Sequence, residues 1–211
     1  AKAPTGTGKT FAFGIPMVEH TDPGGNAVTG LVLAPTRELA IQIQEELRDL
    51  CAFKEGVRVV CLYGGQPIEK QIAQLKKNPQ IVVATPGRLM DLHGQGFVSL
   101  DRLEIFVLDE ADRMLDMGFI HDVRKILKWL PEKKQTLFFS ATMPPEITEL
   151  VNSLLRSPVR VAVNPVSSPV EAIEQSVYLV DKANKTRLLA HLVRERKVKN
   201  ALVFTRTKHG A

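Results

Sequence analysis

Short apolar runs, each followed by a polar turn and then by a helical pattern, recur along this chain of 211 residues. Runs that are apolar throughout are typical of parallel strands buried on both faces. The predicted strands are residues 31–34, 57–63, 81–84, 105–108, 136–139 and 159–163, of which 31–34, 81–84 and 105–108 are apolar at every position. The sequence therefore predicts an α/β fold with a mostly parallel central sheet flanked by helices.

Helical patterns separate these runs. Helices are predicted over residues 11–19, 68–77, 119–130 and 145–155, and two more should begin after Thr36 and Thr85, which are predicted to cap them. Pro16 is expected to limit or kink the first helix. Residues 164–169, rich in Pro and Ser, predict a linker. Beyond it, strands over 175–180 and 201–205 are expected to flank a helix over 185–194.

The octet Ala3–Thr10 has the composition of a phosphate-binding loop, although Ala3 stands where the strict pattern begins with Gly. Its glycines let successive backbone N–H groups face one anion, Lys9 would reach the β- and γ-phosphates, and the Thr10 hydroxyl would bind Mg²⁺. A Gly/Thr-rich turn without a ligand is the alternative. The residues predicted to bind the nucleotide are Ala3, Thr5, Gly6, Thr7, Gly8, Lys9 and Thr10.

An acidic tetrad, Asp109-Glu110-Ala111-Asp112, follows the apolar run 105–108. At this place Asp109 would hold Mg²⁺ opposite Thr10, and Glu110 would polarise a water for attack on the γ-phosphate. Taken alone, the tetrad would more often be a solvated helix start. Together with the phosphate loop it predicts an ATP and Mg²⁺ site, with Lys9, Asp109 and Glu110 as the catalytic residues.

Other polar clusters follow the remaining runs, at residues 35–37, 64–65, 85–88 and 140–142. Because parallel sheets bind ligands beyond the carboxyl ends of their strands, these clusters are expected at one edge of the fold. Taken singly, Arg37 and Arg88 would be ordinary surface arginines, and Gly64-Gly65 would be only a turn.

Composition narrows the class of protein. The net charge of +5 suits a polyanionic partner without proving one. The apolar runs are too short for a membrane span, which needs about 20 residues. Cys51 and Cys61 are predicted to be buried reduced thiols, as in a cytosolic enzyme, so we expect a cytoplasmic protein. The histidines have no metal-ligand spacing.

In these motifs and in their order, the chain resembles the DEAD-box RNA helicases. The matching segments are Ala3–Thr10 (motif I), Pro35–Leu39 (Ia), Gly64-Gly65 (GG), Thr85–Arg88 (Ib), Asp109–Asp112 (II), Ser140–Thr142 (III) and Val203–Thr207 (IV). The amino-acid sequences of residues 112–119 and 204–211 are most similar to those of the bacterial RhlE-type branch.

The resemblance implies two RecA-like domains that close on ATP and single-stranded RNA, and an activity that unwinds short RNA duplexes or remodels RNA–protein complexes. Residues 1–163 would be the first domain, 164–173 a linker and 174–211 the start of the second. It implies RNA-binding segments at Pro35, Thr36, Arg37, Gly64, Gly65, Thr85, Pro86, Gly87 and Arg88. Asp112, Ser140 and Thr142 would couple the ATP and RNA sites, and ribosomal or RNA-decay proteins are expected partners.

Two other functions fit parts of the pattern. A translocating DNA helicase would share the phosphate loop and the acidic tetrad. Comparing the stimulation of ATP hydrolysis by RNA and by DNA of equal length distinguishes it from an RNA helicase. A non-catalytic RNA clamp or scaffold would not need Lys9, Thr10, Asp109 and Glu110 together, and turnover by the full-length protein decides that alternative.

We expect residues 1–211 alone to hydrolyse ATP poorly and to unwind no RNA. The family's adenine-reading Q motif and its arginine-finger motifs are not in this sequence, and such an arginine contributes about 10³- to 10⁵-fold in turnover at related sites. Phosphate release with and without RNA measures this. Robust RNA-stimulated hydrolysis by these residues would contradict it.

Overall fold

Five short parallel strands form a single sheet in the computed structural model of the chain. They are β1 (Gly30–Leu33), β2 (Val59–Leu62), β3 (Ile81–Ala84), β4 (Ile105–Leu108) and β5 (Gln135–Phe138), in the spatial order β2-β3-β1-β4-β5. Every neighbouring pair is parallel. The predicted α/β fold with a parallel central sheet is confirmed.

The structure describes residues 1–2, 8–162, 174 and 176–205. The chain divides into two compact units, Ala1–Val166 and Ser167–Ala211. The sheet lies in the first unit. In the described ranges, every helix is too short or too polar to cross a lipid bilayer.

Seven helices are described in the first unit. They are α1 (Lys9–His20), α2 (Arg37–Cys51), α3 (Ile68–Leu75), α4 (Pro86–Gly94), α5 (Ala111–Asp116), α6 (Ile120–Leu127) and α7 (Pro145–Leu154). Thr36 caps α2 as predicted, its hydroxyl oxygen accepting from the Leu39 N–H at 3.3 Å. Thr85 stands at the N-cap of α4 but makes no capping bond there. Pro16 does not end α1, which continues to His20.

The helices cover both faces of the sheet, and the strand side chains alternate between two apolar clusters. Leu31 and Leu33 of β1 belong to a cluster that includes residues of α4, α6 and α7, whereas Val32 belongs to one with α1 and α2. All four residues of β1 are buried. This two-sided burial explains why β1, β3 and β4 are continuous apolar runs in the sequence.

Both cysteines are buried and unpaired, as predicted. Burial raises the pKa of the Cys61 thiol to about 12, and it also raises the pKa of the Cys51 thiol. Because the thiolate is the reactive form, neither cysteine is suited to nucleophilic chemistry.

Two expectations about the first unit are wrong in detail. The predicted helix 119–130 is the shorter α6, and the separate helix α5 precedes it. Residues 159–162 are not a strand; their one bridge joins Ala162 to Lys2, and Val163 lies outside the described residues. Lys2 also bridges Ser140, so it lies between two backbone segments where a further strand position would be.

In the second unit, the predicted helix is confirmed as α8 (Lys185–Glu195), preceded by a 3-10 turn over Lys182–Asn184. The predicted strands are wrong for residues 176–180 and 201–205, which have no strand pairing among the described residues. The linker 164–173 lies outside the described residues. The domain boundaries, and the assignment of 174–211 to a second RecA-like domain, stay predictions.

Candidate functional site

Asp109 lies just beyond the carboxyl end of β4. Its N–H donates to the Leu33 carbonyl at 3.0 Å, so the pairing of β4 with β1 extends to the residue that carries the carboxylate. The side chain is buried, and its Oδ1 accepts from the Glu110 N–H at 2.9 Å. The sheet therefore fixes the position of this acid.

Lys9 is the first residue of α1 and reaches the same acid. Its Nζ lies 3.6 Å from Asp109 Oδ1, which is longer than a hydrogen bond, and the ammonium is buried. Within the described part of the chain, this Nζ has no hydrogen-bond partner. A buried ammonium in this condition is suited to an anionic ligand, because a phosphate would supply the missing acceptors.

Gly8 precedes Lys9 at the start of α1. It has a φ of +78°, in the region that favours glycine, and a Cβ there would meet no described residue within 4 Å. Thr10 follows within α1. The remaining predicted loop residues, Ala3, Thr5, Gly6 and Thr7, lie outside the described residues.

The electrostatics of Lys9 and Asp109 are those of a site that a ligand would complete. Burial raises the pKa of the Asp109 carboxyl, and the Lys9 ammonium opposes that rise. The described residues contain no cluster of three His, Cys, Asp or Glu side chains that could hold a metal ion. Mg²⁺ usually binds through one or two carboxylates with phosphate oxygens and waters, so one carboxylate beside a phosphate site fits this ion.

Glu110 occupies the left-handed region, with φ 48° and ψ 51°, at the N-cap of α5. Its carboxylate is mostly buried and lies 3.2 Å from Nη1 of Arg113, whose own side chain is exposed. Lys9, Glu110, Asp112 and Arg113 line one shared cleft, together with Asp116 and Ala141. The predicted catalytic residues Lys9, Asp109 and Glu110 therefore lie together.

Asp112 joins α5 to the segment after β5. Its Oδ2 accepts from both the N–H and the hydroxyl of Thr142, each at 2.8 Å. Its own N–H donates to the Ser140 hydroxyl oxygen at 3.2 Å. Burial raises the pKa of Asp112, but the hydrogen bonds from Thr142 and Ser140 outweigh it and hold this pKa below its usual value. The expected link between Asp112 and residues 140–142 is present.

The segments predicted to bind RNA follow the three strands β1, β2 and β3, which are neighbours in the sheet. Pro35, Thr36 and Arg37 connect β1 to α2, and Gly64 and Gly65 follow β2. Gly65 has a φ of +84°, and a Cβ on it would lie 3.3 Å from Nη1 of Arg37. The Arg37 guanidinium also contacts the Glu38 carboxylate at 3.1 Å.

The third segment, Thr85, Pro86, Gly87 and Arg88, begins α4 after β3. The Thr85 hydroxyl turns to the Leu62 carbonyl at 3.5 Å. The Arg88 side chain is mostly buried, and its Nη1 and Nη2 donate to the Gln66 carbonyl at 3.2 and 3.3 Å. Arg88 therefore fastens the loop after β2 to α4.

Sequence reasoning missed Gln66, Gln71 and Arg113. Gln71 is wholly buried on α3, and Arg113 is ion-paired with Glu110. A polar residue on the apolar face of an amphipathic helix is a usable signal for Gln71. Arg113, one turn after a carboxylate, has the spacing of an ordinary helix ion pair.

Residues 1–150 match the family described as DEAD/DEAH box helicase. The chain belongs to this family. It is 47% identical over 207 residues to the ATP-dependent RNA helicase CshA of Listeria monocytogenes, covering 98% of this chain and 40% of that protein. It is 44% identical over 212 residues to the RNA helicase CrhR of Synechocystis, covering all of this chain and 43% of the relative.

Solved structures of the family agree with the fold. A DEAD box protein from the hyperthermophile Methanococcus jannaschii superposes with a TM-score of 0.72 at 39% identity, over 99% of this chain and 55% of that one. A hypothetical ATP-dependent RNA helicase from Sulfolobus tokodaii gives 0.67 at 42% identity, over 74% and 45%. The chain spans less than half the length of the curated relatives named above.

The Asp112 carboxylate should stabilise the fold only where it is ionised. Because its pKa is lowered in the folded state, the stabilisation is present above the unfolded value of about 3.9 and is lost as the pH falls through the folded value. At pH 7, Asp112→Asn should cost about 1 kcal/mol of unfolding free energy, since hydrogen bonds to a charged acceptor are lost. Urea unfolding at pH 7 and near pH 3 measures the difference.

Asp49→Asn is the control for this comparison, because it removes an exposed carboxylate of α2 that has no hydrogen bond among the residues described. It should change the free energy by less than about 0.5 kcal/mol at either pH. An Asp112→Asn penalty as large near pH 3 as at pH 7 would contradict the assignment.

Proposed function

We propose that this chain is the nucleotide- and RNA-binding part of an ATP-dependent RNA helicase, one that separates short duplexes locally or remodels RNA–protein complexes. The observation that carries the proposal is the buried Lys9 ammonium, 3.6 Å from Asp109 and without a hydrogen-bond acceptor in the described part of the chain. Membership of the DEAD/DEAH box family and relatives named as RNA helicases support it.

Each residue of the proposed nucleotide site has its own role. Lys9 binds the β- and γ-phosphates, with the loop Ala3, Thr5, Gly6, Thr7, Gly8 and Thr10 supplying backbone and hydroxyl groups. Mg²⁺, held by Thr10 and Asp109, would neutralise charge on the phosphates. Glu110 orients the attacking water and accepts its proton; its burial beside Asp109 supports this role.

The RNA site uses the segments after β1, β2 and β3. Arg37 and the backbone groups of residues 64–65 and 85–87 address phosphates rather than base edges, which gives binding without sequence preference. Contacts to ribose hydroxyls would favour RNA over DNA. Asp112, Ser140 and Thr142 couple this surface to the nucleotide, and their mutual hydrogen bonds support that role.

Finer assignments belong to the same proposal. Assignment to the RhlE-type branch is based on the sequences of residues 112–119 and 204–211, whereas the relatives described above are named CshA and CrhR. A cytoplasmic location, suggested by the two buried thiols, and ribosomal or RNA-decay partners stay predictions.

Lys9→Ala in the full-length protein should lose nucleotide binding and unwinding, because the ammonium that neutralises the phosphates is removed. We expect at least about a 100-fold drop in kcat/KM for ATP. Lys128→Ala removes an exposed lysine at the end of α6 and is the control. Fluorescent-nucleotide titration and strand-displacement assays measure both variants, and retained activity in Lys9→Ala would exclude the phosphate-loop assignment.

Glu110→Gln should separate binding from hydrolysis. The amide keeps the size of the side chain but cannot accept the proton of water, so ATP and RNA should bind and remain trapped while turnover falls by about 100- to 10,000-fold. Co-purification of labelled RNA in the presence of ATP, with phosphate release measured in parallel, tests this. Turnover equal to that of the exposed control Glu45→Gln would remove Glu110 from the role of base.

A further inference from the structure

Gln71 of α3 is a polar residue with no exposed surface. Its carboxamide pairs with both backbone groups of Tyr63, the residue after β2: the Tyr63 N–H donates to Oε1 at 3.3 Å, and Nε2 donates to the Tyr63 carbonyl at 2.9 Å. Since β2 is an edge strand, this side chain takes the place that a neighbouring strand would occupy.

The same amide reaches further along the loop. Nε2 of Gln71 also lies 3.2 Å from Oε1 of Gln66, and the Gln66 carbonyl accepts both Nη groups of Arg88 from α4. Residues 63 and 66 are therefore held from two helices. Gly64 and Gly65 lie between these two held positions.

This arrangement matters because a glycine pair loses more conformational freedom on ordering than any other dipeptide. A loop that is ordered before RNA arrives avoids that loss at the moment of binding. Gly65 already has the left-handed backbone that brings it close to Arg37. The contacts that maintain it come from Gln71 on one side and Arg88 on the other.

We infer that Gln71 is a positioning residue for RNA: it does not touch the ligand but holds Gly64 and Gly65 in their binding conformation. The inference rests on the proposed function of the loop. Arg88 acts through the same residue, because it donates two hydrogen bonds to the Gln66 carbonyl. Arg88 and Gln71 therefore hold this loop together.

The test uses the full-length protein with Gln71→Met, which keeps an unbranched side chain of similar length and removes the amide. The RNA concentration for half-maximal stimulation of ATP hydrolysis should rise about fivefold. The turnover number at saturating RNA and the KM for ATP should stay unchanged. A residue that only stabilised the fold would not produce this split.

Gln44→Met is the matched control. Gln44 is also buried, and its Nε2 donates to the Val59 carbonyl at 3.2 Å, at the opposite end of the same edge strand. It should lose a comparable hydrogen bond without any change in the RNA requirement. An equal rise in both variants would overturn the inference.

Arg88→Lys is the second variant, and it covers the case in which Gln71→Met does not fold. Lysine keeps the charge but cannot donate two parallel hydrogen bonds to one carbonyl. It should raise the RNA requirement about as much as Gln71→Met, and the double variant should be no worse than either, because both act through Gln66. Additive effects of the two substitutions, or an Arg88→Lys protein equal to wild type, would contradict a joint action of Arg88 and Gln71 through Gln66.

Backbone order parameters separate this inference from the proposed function. If wild-type protein shows no RNA-stimulated hydrolysis, the proposed function fails, and NMR relaxation still tests the loop. The exposed N–H groups of Gly64 and Gly65 should have lower order parameters in Gln71→Met than in Gln44→Met. Equal order parameters in the two variants would show that Gln71 does not order the loop.

Discussion

The buried pair of Lys9 and Asp109 is the constraint on which the rest of this site depends. Removing two charges from water costs several kcal/mol per ion unless attraction and hydrogen bonds offset it. Here the two groups are 3.6 Å apart, and among the described residues the carboxylate has one backbone donor, the Glu110 N–H. Such a pair is poorly compensated in the unliganded fold. Under the proposed function, a triphosphate with Mg²⁺ would complete the charge set, and we expect the pair to favour the liganded state.

The order of the strands separates two kinds of chemistry. The segments after β2, β3 and β1 carry the glycines and arginines suited to a phosphate backbone, whereas Asp109 follows β4 and Ser140 lies beyond β5. The boundary falls between β1 and β4, where the Asp109 N–H donates to the Leu33 carbonyl. Asp112 then ties α5 to the end of β5. Under the proposed function, a displacement at the nucleotide site would reach the segment after β5 through the hydrogen bonds of Asp112 with Ser140 and Thr142.

The sheet could be predicted from the sequence because β1, β3 and β4 are buried on both faces. Their residues are therefore apolar at every position, without the periodicity of an amphipathic helix. Thr36 was predictable for the same kind of local reason, since an N-cap is a short-range contact. The runs near 159–163, 175–180 and 201–205 are also rich in apolar residues. Among the described residues, however, 159–162 have only the bridge from Ala162 to Lys2, and 176–180 and 201–205 have no strand pairing. An apolar run becomes a strand only when another strand lies beside it, which a run alone does not reveal. Gln71 was missed because its partners, Tyr63 and Gln66, are backbone and side chain of another element.

Glu110 joins the catalytic proposal to the local fold. A residue with a Cβ in the left-handed region costs about 1 to 2 kcal/mol, a strain that glycine would avoid at this turn. Two contacts enforce the conformation: the Glu110 N–H donates to Asp109, and the Ala111 N–H donates to the Phe139 carbonyl. The turn ends β4, begins α5 and directs Asp112 toward Ser140. A glycine would meet the same backbone requirement without strain, so the backbone alone does not explain a glutamate at this position. Its carboxylate pairs with Arg113 and, under the proposed function, would act on the attacking water.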